Sequence, residues 1–95
     1  MKALLLNGPN KPFSIETVND PSPEKGYAVA KVLACGSGLT IQHVKAGRII
    51  VDYPKIIGHE IIGEIVEING KSNEYKVGDP VTAFFYLTCG QCRWC

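Results

Sequence analysis

Turn-forming residues cut this sequence into pieces too short for anything but strands and a turn or two of helix. Ten glycines and six prolines stand among its 95 residues, and they punctuate runs that alternate apolar and polar. Lys2 to Leu6 reads as a short apolar strand closed by Asn7-Gly8-Pro9. Phe13, Ile15 and Thr17 alternate with Ser14, Glu16 and Val18, which predicts a second strand. Asp20 to Gly26 is a loop, since Pro21 and Pro23 cannot donate to a ladder. Tyr27 to Ala34 alternates again and runs into Cys35-Gly36-Ser37-Gly38. From Leu39 to Lys45 the period of two is lost, and Gly47 follows, which predicts one or two helical turns. Tyr53-Pro54 opens an extended approach to Gly58-His59-Glu60. The run Ile61 to Ile68 predicts a long strand, and Gly63 inside it marks a close backbone approach or a bulge. Asn69-Gly70 and Val77-Gly78-Asp79-Pro80 are turns, and Val81 to Leu87 is a last strand. The expected fold is a single, mainly β domain with short helices.

Composition narrows the function classes. With 45% hydrophobic and 20% charged residues the chain is globular, and a chain this short is expected to bury roughly 60–70% of its unfolded surface in one modest core. Ten basic residues against nine acidic ones leave a net charge of +1 without a basic stripe, so neither nucleic acid nor an anionic membrane is an expected partner. The apolar run Ala3-Leu4-Leu5-Leu6 ends at Asn7. A secretory segment needs about 7–15 apolar residues and a membrane span about 20. A cytoplasmic protein is expected, in which clustered thiols stay reduced and bind metal or do chemistry.

Cys89, Cys92 and Cys95 recur every third residue in a loop containing Gly90. A strand would send alternate ligands to opposite faces, whereas a glycine-bearing loop folds three sulfurs around one point. Three thiolates so spaced suit Zn²⁺, which takes four ligands tetrahedrally in structural sites. CxxC also occurs in disulfide oxidoreductases, but two overlapping units favour metal. No fourth ligand lies nearby in sequence. Gly36-Ser37-Gly38 imitates a dinucleotide fingerprint, but its third glycine position is Ile41 and no βαβ unit follows, so it is a backbone turn.

Three motifs in order, Gly58-His59-Glu60 with Gly63, then Val77-Gly78-Asp79 with Val81, then Cys89, Cys92 and Cys95, resemble the N-terminal catalytic domain of zinc-type alcohol dehydrogenases in the medium-chain dehydrogenase/reductase superfamily. The resemblance spans essentially the whole chain. It implies a GroES-like, partly open β-barrel in which the cysteines begin a structural zinc lobe. It also implies that residues 1–95 are the N-terminal part of such an enzyme, with the Rossmann domain for NAD(P) absent from this chain. Thr40 then matches the hydroxyl that passes on the substrate's proton. His43 matches the histidine that carries it to solvent, His59 an imidazole ligand of the catalytic zinc, and Glu60 the acidic residue beside that metal. Cys35 matches a cysteine that does not bind zinc.

Two departures stand against that pattern. The position of the first catalytic-zinc ligand falls on Gly38, which has no side chain to donate, and the aspartate that orients the metal-binding histidine falls on Ile41. The resemblance thus implies an oxidoreductase moving hydride between an alcohol or carbonyl and nicotinamide. It implies structural zinc, a contested catalytic zinc, and a homo-oligomer at full length. One alternative is a superfamily reductase of activated double bonds without catalytic zinc, and another a free-standing zinc or scaffold module without catalysis. The 95-residue chain alone is expected to be inactive. Apart from the resemblance, His59 reads as a core histidine bonded to a carbonyl, His43 as an exposed residue on a polar turn, and Glu60 as the partner of a cation. Cys35 is expected to pack as a small apolar residue, Gly63, Gly78 and Asp79 to be structural, and Trp94 either to cover the cysteine loop or to stand exposed.

Overall fold

A computed structural model describes all 95 residues. Its elements are β1 (Lys2–Leu6), β2 (Phe13–Thr17), β3 (Ala28–Cys35), α1 (Leu39–Lys45), β4 (Lys55–Ile56), β5 (Ile61–Ile68) and β6 (Pro80–Thr82). They form two three-stranded sheets of order β2-β1-β4 and β3-β5-β6, antiparallel at every pairing. The expected mainly β architecture is therefore present, with one short helix.

β1 and β2 pair from Lys2 opposite Thr17 to Leu6 opposite Phe13. The ladder continues beyond the strand as Val18 N–H donates to Met1 O at 2.9 Å, while the terminal ammonium lies 2.7 Å from Asp20. β4 joins the other edge of β1 through Leu5 opposite Ile56. That two-residue strand escapes a sequence reading because it is defined only by its distant partner. The second sheet pairs β3 with β5 from Ala28 opposite Ile68 to Cys35 opposite Ile61, with register shifts between Val29 and Ala30 and between Val32 and Ala34. Gly63, opposite Val32, stands at the second shift. A Cβ there would lie 2.8 Å from Lys31 O, so the glycine marks a close backbone approach as well as an irregularity.

The last strand is shorter than its sequence suggests. β6 stops at Thr82, and Ala83 N–H makes a final bond to Ile61 O at 3.1 Å. Phe84, Phe85 and Tyr86 then leave the sheet and gather their rings, with Phe85 and Tyr86 centroids 4.3 Å apart. A run of aromatic residues reads as strand, but here β5 offers partners to only three residues.

The core gathers around β1. Its buried apolar residues are Ala3, Leu5, Leu6, Val44 and Ile65, with Leu6 fully enclosed. α1 is tied to this sheet at its C-terminal end, where Asn10 N–H donates to Lys45 O and the Tyr53 hydroxyl donates to Val44 O at 3.2 Å. Burial is lower than the composition suggests. The chain exposes 7850 Å², where a compact monomer of this mass exposes about 5,400 Å² and an extended chain about 14,900 Å². About half of the unfolded surface is buried rather than the expected 60–70%. A cleft of ≈ 880 Å³ between the two sheets, lined by residues such as Leu4, Val32, Ile41 and Ile61, contributes to this, as do exposed apolar side chains outside it, among them Ile50, Tyr75 and the run Phe84 to Leu87. Cys35 lines the same cleft and is exposed, contrary to the packing expected of it, because the sheets do not close over it. No helix is long and apolar enough to cross a membrane.

Candidate functional site

His59 and Glu60 lie in the extended segment that feeds β5, where consecutive side chains diverge. Gly58 precedes them at φ 130°, a conformation that L side chains rarely adopt. The main chain of Glu60 is fixed by the sheet: its carbonyl accepts the Gly36 N–H at 2.7 Å, and the next residue, Ile61, is paired with Cys35. Its carboxylate is laid across the Cα atoms of Gly36 and Gly38. His59 is half-buried, with its ring centroid 5.3 Å from that of Phe85 at an interplanar angle of 53°. Together they line an open cleft of ≈ 580 Å³ walled by Ala34, Ile62, Phe84 and Phe85. Thr82 also faces this cleft, but its hydroxyl is spent on Ile61 O at 3.0 Å. His59 and Glu60 remain as its free polar side chains.

A smaller cleft of ≈ 190 Å³ lies beside it and is lined by Thr40, Ile41 and His59 among others. The structure thus brings Thr40 and His59 to one hollow. It does not bring His43 there. That ring lies one helical turn on, where its Nδ1 is 3.2 Å from Arg48 Nη1. A guanidinium can only donate, so Nδ1 accepts, and the neutral ring carries its proton on Nε2. His43 O also accepts the backbone N–H of Arg48 at 2.9 Å. The turn after α1 therefore orients the imidazole, a device invisible in the sequence because Arg48 lies outside the helix.

Of the metal-donor groups, Cys89, Cys92 and Cys95 alone bring three ligand atoms within 4.8 Å of one another. Cys95 Sγ lies 3.3 Å from Cys92 Sγ and 3.5 Å from Cys89 Sγ. The loop turns through Gly90 at φ 69° and closes with Cys95 N–H on Cys92 O at 3.1 Å. Hydrogen bonds from the Cys92 and then the Cys89 thiol bring the Cys95 thiol down from 9.0 to about 7. The Cys89 thiol is lowered chiefly by the backbone N–H groups of Gln91 and Cys92. A loop that favours thiolates before any metal arrives fits zinc, whose ligands must be deprotonated. Sulfurs on a tetrahedral zinc stand about 3.8 Å apart at Zn–S of about 2.3 Å, so the loop has only to open slightly. Trp94 does not cover the loop; it is exposed, with the Arg93 guanidinium 4.8 Å over its ring.

A catalytic zinc fits less well. Such a site takes three protein ligands and an open position, and the chain offers His59 and Glu60. Gly38 has no donor, and Ile41, in the smaller cleft, cannot orient an imidazole. Within residues 1–95 the donors for a catalytic zinc are His59 and Glu60 alone.

Residues 24–95 match the family model described as alcohol dehydrogenase GroES-like domain. Among solved structures, AibC is 31% identical with a TM-score of 0.91, over 100% of this chain and 27% of that one. A structure from Sinorhizobium meliloti 1021, described as a zinc-binding dehydrogenase bound to NADP, is 30% identical with a TM-score of 0.86, over 99% of this chain and 27% of that one. An alcohol dehydrogenase from Thermotoga maritima is 29% identical with a TM-score of 0.87, over 99% and 27%. The chain therefore spans about a quarter of the length of the structures it matches.

Proposed function

The chain belongs to the family of alcohol dehydrogenase GroES-like domains, and on that premise we propose that it is the N-terminal part of an NAD(P)-dependent oxidoreductase. Its reaction moves hydride between an alcohol or carbonyl compound and nicotinamide. The observation that carries this reading is the likeness, over 99% of the chain, to a dehydrogenase holding NADP. In this reading a Rossmann domain outside residues 1–95 holds the dinucleotide and residues 1–95 supply the substrate side. Thr40, in the hollow beside His59, hydrogen-bonds the reacting oxygen and takes or gives its proton. His43 relays it by taking a proton on Nδ1, as Arg48 gives up its bond there, and releasing the Nε2 proton to solvent. Cys89, Cys92 and Cys95 hold a structural zinc with a fourth ligand from outside this chain. The enzyme is cytoplasmic in this reading and works as a homo-oligomer.

The donor set around His59 favours a second reading, a reductase of activated double bonds. There hydride goes to one alkene carbon and a proton to the other, and no metal need polarise an alcohol oxygen. One experiment separates the two: full-length protein is tested for nicotinamide-dependent turnover on alcohols, aldehydes and conjugated enones or thioesters, and its zinc is counted. Two zincs per subunit with alcohol turnover support the dehydrogenase, and one zinc with alkene reduction supports the reductase. A full-length protein that binds neither NADH nor NADPH refutes both. In this reading residues 1–95 alone are expected to turn over none of these substrates.

A further inference from the structure

Gly36 and Gly38 are glycines without a backbone reason. Neither is among the glycines at positive φ, and Gly38 has φ −83° and ψ −178°, where any residue is at ease. Gly38 is also the N-cap of α1, yet no side chain caps that helix end. Serine, threonine, aspartate and asparagine are the residues usually favoured there. An alanine at such backbone angles ordinarily stabilises a protein by shrinking its unfolded ensemble. Something else keeps these positions bare.

The space is taken by Glu60. A Cβ on Gly38 would collide with Glu60 Oε1 and lie 3.4 Å from Glu60 Cδ, with no other residue among its three nearest atoms. A Cβ on Gly36 would collide with Oε2 and lie 2.9 Å from Glu60 Cβ and 3.1 Å from Cδ. Retreat of the whole residue is blocked, because Glu60 O is bonded to Gly36 N and Ile61 is paired with Cys35. Only the exposed carboxylate end can swing, so a side chain on residue 38 and the carboxylate in its present position are alternative occupants of one space.

We infer that the Glu60 carboxylate is the built-in occupant of the position that a side chain on residue 38 would take, so that the His59 cleft is made as a metal-free imidazole–carboxylate pair. This rests on the reductase reading above, because the dehydrogenase reading counts a second zinc at His59. Gly38 and Glu60 form one steric unit, and the missing donor at 38 is the complement of the carboxylate that replaces it. The carboxylate remains at the mouth of the cleft beside His59, where it accepts hydrogen bonds from a polar ligand.

Two measurements test this. The first is a thermal-unfolding cycle of Gly38→Ala in three backgrounds, Glu60, Glu60→Gln and Glu60→Ala. With Glu60→Ala the new methyl meets open space, and the midpoint rises by roughly 2–8 °C. With Glu60 or the equally large Glu60→Gln it rises less or falls. An identical shift in all three backgrounds overturns the inference. The second is zinc content by elemental analysis of the full-length protein and its His59→Gln variant. Unchanged zinc supports a metal-free cleft, and loss of one equivalent per chain with His59→Gln overturns it. The metal count stands even if Gly38→Ala yields no soluble protein.

Discussion

Gly63→Ala is the substitution whose cost the structure defines most tightly. The added Cβ would stand 2.8 Å from Lys31 O, 3.3 Å from Ala30 Cβ and 3.4 Å from Lys31 C. The nearest atom is a backbone carbonyl of β3, and β3 is laddered to β5 on both sides of the contact, Lys31 to Glu64 and Val32 to Gly63. No side-chain rotation relieves the clash, so the sheet itself must open. Overpacking of this kind costs about 1–3 kcal/mol, offset by about 0.4–1 kcal/mol from the stiffer unfolded chain. The net loss of about 1–2 kcal/mol corresponds to a fall in midpoint of roughly 4–16 °C for a domain of this size. Thermal unfolding followed by far-ultraviolet circular dichroism reads it directly. A midpoint equal to or above that of the parent refutes the close approach of β3 and β5 at this position.

In metal-free protein, alkylation of Cys95 rises through a half-maximal rate near the about 7 of its thiol, read by peptide mass spectrometry. Because the folded value lies below the unfolded one, the stabilisation it brings is complete above pH 9 and is lost as pH falls through 7; unfolding midpoints on either side of that window check the sign. Cys89→Ser removes one of three thiolates, and zinc retained by the chain after dialysis drops below that of the parent in elemental analysis. Tyr53→Phe deletes the hydroxyl bond to Val44 O and lowers stability by about 0.5–1.5 kcal/mol, seen as a lower denaturant midpoint at unchanged slope.

Much of the fold was legible because alternation and turn residues are local. β1, β2, β3, α1 and β5 lie within a residue or two of where periodicity places them. The failures are where partners decide. β4 exists only because Leu5 and Leu6 offer it a ladder, and the run after Thr82 leaves the sheet because β5 offers no further partner. The cysteine loop was legible for the same reason as the strands, since spacing alone brings its sulfurs together. The His59 cleft was legible by half. Thr40 and His59 line one hollow, whereas His43 is turned to Arg48. The seat of Glu60 on Gly36 and Gly38 joins residues more than twenty positions apart, and no local pattern announces it. The low burial was illegible too, because composition records how many apolar residues there are and not whether two sheets close over them.

The large exposed surface also governs how the chain responds to solvent and temperature. With 7850 Å² already exposed, unfolding uncovers about 7,000 Å² instead of the about 9,500 Å² of a closed domain of this mass. Denaturant slope and heat-capacity change both scale with that area. Each should be about three-quarters of the value usual for the length. The urea transition is accordingly broad and the stability curve flat, so that warming and cooling change the folded fraction gently. Covering that surface would register as a sharper urea transition and a more strongly curved stability profile.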